Sequence, residues 1–192
     1  MALPPRPKST GRERLPDAVA LRLADLSARA IWHVRLLARQ GVLPGFAGTL
    51  GLPAEGLAEL HAATGLACLQ PAPPDGSALV PPLPGFPYPH LLAWMWRHRR
   101  QDAPLTHAVA AAVACATFGS RHLWQDLGFD GRDDVRSLLE GYFPALVERN
   151  VHDLKWKRFL YQEVGTVLGH ADLRPPRCGA CDQYAACYGT GL

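Results

Sequence analysis

Three of the five cysteines in this 192-residue sequence lie within ten positions near its carboxyl end. They are Cys178, Cys181 and Cys187, with the spacing C-x2-C-x5-C. The two residues between the first pair let both sulfurs face one soft metal centre, and the third can return to it after a further turn. Neighbouring thiolates repel one another unless a cation neutralises them. The spacing therefore predicts a zinc or iron–sulfur site and does not choose between the two.

A disulfide is the alternative use of such cysteines. The odd number of cysteines and an amino end without the apolar core of a signal peptide both disfavour it. The longest weakly polar run, residues 103–118, is too short and too interrupted to span a membrane. We therefore expect a cytoplasmic protein with reduced thiols. Cys68 and Cys115 are expected to be buried and inert.

Composition narrows the class of protein further. The apolar fraction of 48% suits a single domain with its own core. The net charge of +3 is small, and no basic stripe with interleaved aromatic residues predicts a nucleic-acid partner. No nucleophile–base pair or carboxylate dyad stands out, so we do not expect an enzyme.

The chain divides into five segments. Residues 1–14 form a basic, proline-containing arm that is expected to be disordered, and 15–69 form an N-terminal helical part. Residues 70–89 contain eight prolines, a density that predicts an extended connection. Residues 90–169 form the helical core, and 170–192 form the cysteine-containing tail.

Apolar residues recur at helical spacing along most of the chain. The pattern predicts helices over residues 15–40, 53–67, 90–100, 104–118 and 122–127, and a helix that starts near 130. A short segment over 145–150 follows, and the last predicted helix spans 153–168. The buried face of the first is predicted to hold Val19, Leu23, Leu26, Ala30, Val34 and Leu37. No stretch alternates like a strand, so the predicted fold is all-α, a single helical-bundle domain with a C-terminal metal-binding tail.

Two of these helices have distinctive faces. The helix over 104–118 is apolar nearly all round and is predicted to lie in the middle of the bundle. In the last helix, apolar positions are expected to face inward while its lysines stay in solvent. The inward positions are Trp156, Phe159, Leu160 and Val164.

Three stretches read together resemble the NifQ family, the molybdenum-donating proteins of nitrogenase cofactor assembly. They are residues 122–128 (HLWQDLG), 142–146 (YFPAL, followed by Arg149 and Asn150) and 154–161 (LKWKRFLY). The cysteine tail follows where that family places C-x4-C-x2-C-x5-C. The similarity covers roughly residues 118–190.

The resemblance implies an iron–sulfur protein that binds molybdenum and donates it to nitrogenase iron–molybdenum cofactor assembly. Its cofactor would be a three-iron or molybdenum–iron–sulfur cluster, molybdenum would be its cargo, and cofactor-assembly proteins would be its partners. Cys178, Cys181 and Cys187 correspond to the second, third and fourth family cysteines. The position of the first is occupied by Leu173.

Three thiolates suffice for a cluster with one ligand per iron, and a corner held by no cysteine suits a metal that must leave. His170 is a candidate to replace the missing ligand, and His122 is a second. The basic residues near the cysteines would offset the charge of an anionic cargo, or they form an ordinary solvated face. They are Lys155, Lys157, Arg158, Arg174 and Arg177.

Two alternatives stay open from the sequence. One is a structural zinc site in an adaptor protein, with Cys178, Cys181, Cys187 and His170 as its four ligands. The other is a degenerate NifQ-like scaffold that lacks a cluster, as the leucine at position 173 would allow.

Overall fold

The computed structural model describes residues 16–52, 57–58, 60–62, 87–101, 103–181 and 183–189. Every regular element within these ranges is a helix, which confirms the all-α prediction. None of the helices in the described ranges is long and apolar enough to cross a membrane. The predicted disordered arm, Cys68 and most of the predicted proline-rich connection lie outside the described residues.

Apart from the last one, which was not predicted, the α-helices lie close to predicted segments. They are α1 (Asp17–Arg39), α2 (Tyr88–Arg97), α3 (Thr106–Ala116), α4 (Leu123–Asp126), α5 (Arg132–Tyr142), α6 (Pro144–Arg149), α7 (Trp156–Leu168) and α8 (Tyr184–Tyr188). Two 3₁₀ helices span Gly45–Gly48 and Cys178–Ala180. The helix predicted over 53–67 is described only at residues 57–58 and 60–62, which are helical. Helix α2 begins two residues earlier than predicted, because a proline is tolerated in a first helical turn.

Helix α3 lies at the centre of the bundle, as its composition predicts. Every residue from Ala108 to Ala116 is buried. Helices α1 and α2 both pack against it. The alanines of α3 bring these helices close, since a methyl side chain adds little bulk between two helix axes. Cys115 lies on this helix and is completely buried, as predicted.

Helix α1 buries most of the predicted face. Leu26, Ala30, Val34 and Leu37 are in the core. The prediction that Val19 belongs to this face is wrong, because its side chain is 47% exposed. All residues of 16–22 are exposed, so the first turns of α1 project beyond the core.

Helix α7 buries Trp156, Phe159, Leu160 and Val164, as predicted. The prediction that its lysines stay in solvent is wrong for Lys157, whose exposed fraction is 8%. The physical reason is a buried carboxylate from α4, described below, that compensates the lysine charge.

The chain folds back on α7 where that helix ends. Gly169 adopts a left-handed conformation, and the amide of His170 donates to the carbonyl of Gly165. Gly165 leaves room for this reversal, since a Cβ there would lie 2.4 Å from the His170 carbonyl oxygen and 3.0 Å from Leu173 Cβ. The cysteine tail therefore runs beside the body of the protein.

Candidate metal centre

Cys178, Cys181 and Cys187 line one cavity of about 340 Å³. Cys178 opens the second 3₁₀ helix, Cys181 directly follows that helix, and Cys187 lies on α8. The Cys181 amide donates to the Cys178 carbonyl, and the Tyr184 amide donates to the Cys181 carbonyl, so backbone hydrogen bonds link the 3₁₀ helix to the first residue of α8. The fold thus places the three predicted thiol ligands around a common space.

The other walls of the cavity come from residues 119–124, from α5 and from the start of α7. Six lining side chains are cationic, whereas the described residues contribute no carboxylate to the lining. The cations are Arg121, Arg132, Lys155, Lys157, Arg158 and Arg177. An anion in this cavity would therefore be attracted from several sides. Of the five basic residues predicted near the cysteines, Arg174 alone is absent from the lining.

Lys157 is fixed at the wall of this cavity by three hydrogen bonds. Its ammonium donates to the carbonyls of Gly119 (2.9 Å) and Arg121 (2.6 Å) and to Asp126 Oδ2 (2.7 Å). An ammonium has three donors, so all of them are used. Burial lowers the pKa of Lys157, and the Asp126 charge opposes this shift. The Lys157 ammonium is therefore held at one position in the cavity wall.

Asp126 is the partner that makes a buried lysine tolerable. Its carboxylate is fully buried, and its second oxygen accepts a hydrogen bond from Arg121 Nε at 3.2 Å. A Cβ at Gly119 would lie only 2.1 Å from Asp126 Oδ2, so the carboxylate occupies space that another residue at position 119 would fill. Sequence reasoning missed this residue. Its spacing relative to Leu123 and Leu127 places it on the buried face of α4, which was the available signal.

The Cys178 thiol loses its proton less readily than the thiol of an exposed cysteine. Burial raises its pKa, the Lys157 charge lowers it, and Cys181 and Cys187 raise it again. A metal that binds this sulfur must displace its proton, so binding releases a proton to solvent.

His122 and His170 occupy different places. His122 lines the cysteine cavity, and its amide donates to Gln125 Oε1 at 3.0 Å across the first turn of α4. His170 is exposed and is not among the residues that line this cavity. Ligation by either histidine stays a prediction. No group of three or more His, Cys, Asp or Glu side chains in the described ranges lies in an arrangement that could hold a single metal ion.

Leu173 does not face the cysteine cavity. It lines a second cavity of about 160 Å³, which shares only Arg158 with the first, and it packs against the hydrophobic core. The position of the first family cysteine is therefore directed toward apolar neighbours in this chain.

Helix α8, which carries Cys187, is held to the body of the protein by polar and cation–π contacts. Arg158 Nη1 donates to the Cys187 carbonyl, and Lys155 Nζ donates to Gln183 Oε1. The guanidinium carbons of Arg158 and Arg174 lie 5.2 and 4.9 Å from the Tyr188 ring centroid. Helix α8 has no buried residue, so these contacts set the position of the third thiol.

The fold and the site together define a class, an all-α protein with a cation-walled, cysteine-lined cavity near its carboxyl end. The NifQ family model matches residues 30–189, and the chain belongs to the NifQ family. This confirms the resemblance seen in the sequence motifs. The match begins within α1 and so extends well beyond residues 118–190.

Three curated NifQ proteins from different bacteria are similar in sequence to this chain. The chain is 41% identical over 94 residues to Protein NifQ of Azotobacter vinelandii, which covers 49% of this chain and 48% of that protein. Protein NifQ of Klebsiella pneumoniae is 36% identical over 97 residues, which cover 50% of this chain and 56% of that protein. Protein NifQ of Rhodobacter capsulatus is 31% identical over 85 residues, which cover 44% of this chain and 47% of that protein. The chain thus spans about half the length of these relatives. No solved structure matches it.

Proposed function

We propose that this chain is a molybdenum carrier that holds an iron–sulfur cluster on Cys178, Cys181 and Cys187. Its task would be to bind molybdenum and pass it to the proteins that assemble the nitrogenase iron–molybdenum cofactor. On this proposal the chain binds, holds and releases its cargo and is not an enzyme. Membership of the NifQ family and the donor set of the cavity support it.

The main supporting observation is the composition of the cavity wall. Three thiols from the tail share one space with six cationic side chains, five of which come from three other parts of the fold. Thiolates, bridging sulfides and molybdate are all anionic, so a fixed positive environment stabilises each of them. Lys157 contributes a charge that Asp126 and two carbonyls hold in place.

The residues present fit a cluster of this type. A cavity of about 340 Å³ is much larger than a single tetrahedral ion needs, whereas several metal atoms with bridging sulfides require such space. Cys178, Cys181 and Cys187 would each hold one iron. When bound, the cluster would supply bridging sulfides and an open corner for molybdenum that no protein thiolate holds.

The surrounding side chains would orient and protect this centre. Arg158 and Lys155 hold the α8 segment against α7 and thereby fix the distance of Cys187 from the other two thiols. Trp156 packs into the core beside the cavity and excludes water from that side. The 3₁₀ helix and α8 contain no buried residue, so another protein can approach the thiols from the tail side.

Anaerobic reconstitution with iron and sulfide tests the proposal. We expect the wild-type protein to turn brown, with thiolate-to-iron absorption, and to hold several irons per chain. The Cys181→Ala variant should lose this absorption and most of the iron. Cys115→Ala is the matched control, because Cys115 is completely buried in α3, and it should load like the wild type.

The outcomes separate the proposal from its alternatives. Less than roughly one iron per chain would favour the degenerate scaffold. A colourless protein that retains one zinc per chain would favour the structural zinc site. Equal loss of iron in the Cys181 and Cys115 variants would contradict the ligand assignment.

A further inference from the structure

The hydroxyl of Tyr188 is a buried polar group without an ordinary partner. Tyr188 ends α8 and directly follows Cys187. Within the described part of the chain its hydroxyl oxygen is buried and makes no hydrogen bond of standard geometry. The polar side chain that contacts this hydroxyl is Cys178. A buried donor left unpaired is costly, so its position beside a thiol needs an explanation.

The aromatic ring of Tyr188 is held in place from several sides. Arg174 and Arg158 lie 4.9 and 5.2 Å from its centroid, and the ring of Tyr184 lies 5.0 Å away. Arg158 also donates to the carbonyl of Cys187. The same contacts that fix the third thiol therefore also fix the direction of the Tyr188 hydroxyl.

The chemistry of the neighbouring sulfur determines how good a partner it is for this hydroxyl. A neutral thiol is a weak hydrogen-bond acceptor. A metal-bound thiolate is a much better acceptor, because hydrogen bonds to ionised groups are short and strong. A tyrosine hydroxyl is protonated near neutral pH and is therefore available as a donor.

We propose that Tyr188 is a positioning residue of the metal centre, whose hydroxyl donates a hydrogen bond to Cys178 Sγ once that sulfur binds metal as a thiolate. The thiol proton leaves to solvent as the metal–sulfur bond forms, and the phenol keeps its own proton. The hydrogen bond stabilises the ligand and withdraws electron density from it. This inference rests on the proposed function in one respect, that the three cysteines bind metal.

Cobalt(II) added to the metal-free protein under anaerobic conditions is the probe. Tyr188→Phe removes the hydroxyl and keeps a ring for the two arginines. We expect it to bind cobalt roughly 10- to 100-fold more weakly than the wild type, as is typical when a group that orients a ligand is lost. The sulfur-to-cobalt charge-transfer band should move to lower energy, because a thiolate without its hydrogen bond is a better electron donor. A purely structural role would leave the band in place.

Tyr184→Phe is the matched control. Tyr184 lies one turn earlier on α8, and its hydroxyl accepts from Arg174 Nη1. We expect this variant to keep both the affinity and the band energy of the wild type. The band energy does not depend on the fraction of folded protein, so partial unfolding cannot imitate the effect.

The outcomes separate this inference from the proposed function. Tyr188→Phe with wild-type affinity and band energy would overturn the inference alone. The same shift in Tyr184→Phe would also overturn it, since the effect would then not be specific to the hydroxyl beside Cys178. A wild-type chain that binds neither cobalt nor iron would overturn the proposed function.

Discussion

The ammonium of Lys157 lies 2.7 Å from the carboxylate of Asp126 across a sequence separation of 31 residues. Asp126 ends α4 and Lys157 is in the first turn of α7, and both helices border the cysteine-lined cavity. The carboxylate is fully buried and the lysine is nearly so. This ion pair therefore fixes two walls of the cavity relative to each other and places one positive charge beside the thiols.

Replacing Asp126 by asparagine should strongly destabilise the protein. The variant removes the negative charge and leaves the Lys157 ammonium buried and uncompensated. Loss of one partner of a buried ion pair costs about 3–5 kcal/mol of unfolding free energy. Urea denaturation of the metal-free protein, followed by circular dichroism, measures this difference.

An exposed ion pair of the same chain provides the control. Arg136 and Glu140 lie one turn apart on α5, 2.8 Å from each other, and both side chains are about half exposed. We expect Glu140→Gln to change the unfolding free energy by less than about 1 kcal/mol. Similar losses in the two variants would show that burial of the Asp126 pair has no special effect.

Stability should fall in mild acid because of His33. Burial lowers the pKa of His33, and so does the Arg121 charge, while Asp126 and the Gln125 carbonyl act in the opposite direction and Arg29 adds to the lowering. The folded state thus keeps this ring neutral at a pH where the unfolded chain binds a proton. The contribution of neutral His33 to the unfolding free energy is therefore fully present above pH 6.5, the ordinary pKa of histidine. It decreases as the pH falls below that value.

Thermal melts between about pH 7.5 and pH 5.5 measure this dependence. We expect the wild-type Tm to drop in this interval and the His33→Gln variant to show a smaller drop. His107, whose pKa is also lowered by burial, contributes in the same direction and accounts for part of the remaining slope. His90→Gln is the control, because His90 is exposed. If the Tm of His33→Gln fell with pH as steeply as that of the wild type, His33 would not be the cause of the acid sensitivity.

Restoring the missing family cysteine should not add iron. The Leu173 side chain packs against the core and lines the smaller cavity, so a thiol there would point away from Cys178 and its neighbours. We expect Leu173→Cys to hold the same number of irons per chain as the wild type after anaerobic reconstitution. Iron analysis and the visible absorption spectrum measure this.

The Cys181→Ala variant, run in the same assay, shows that the measurement detects a change in the thiol set. A clear rise in iron per chain for Leu173→Cys would mean that residues 170–177 rearrange when metal binds. The tail would then adopt a different path from the one in which Leu173 Cβ lies close to Gly165.

The sequence alone determined the fold class and the family. Helical periodicity is a local property, so α1, α3 and α7 were predicted within a few residues of their bounds. The C-x2-C-x5-C spacing is likewise local, and it identified the three thiols before their surroundings were known. Together with the motifs at 122–128 and 154–161, it indicated the NifQ family, to which the chain belongs.

The tertiary structure alone decided how charge is arranged around those thiols. Asp126 falls on the buried face of α4, whereas Lys157 was expected to stay in solvent, and neither pattern reveals that the two side chains meet. Burial of Lys157 depends on a compensating carboxylate 31 residues away, and no local signal encodes that distance. Tyr188 is a similar case, since only the tertiary structure places its hydroxyl beside the Cys178 sulfur. Local spacing determines which residues form an element, whereas pairing between elements depends on packing of the whole chain.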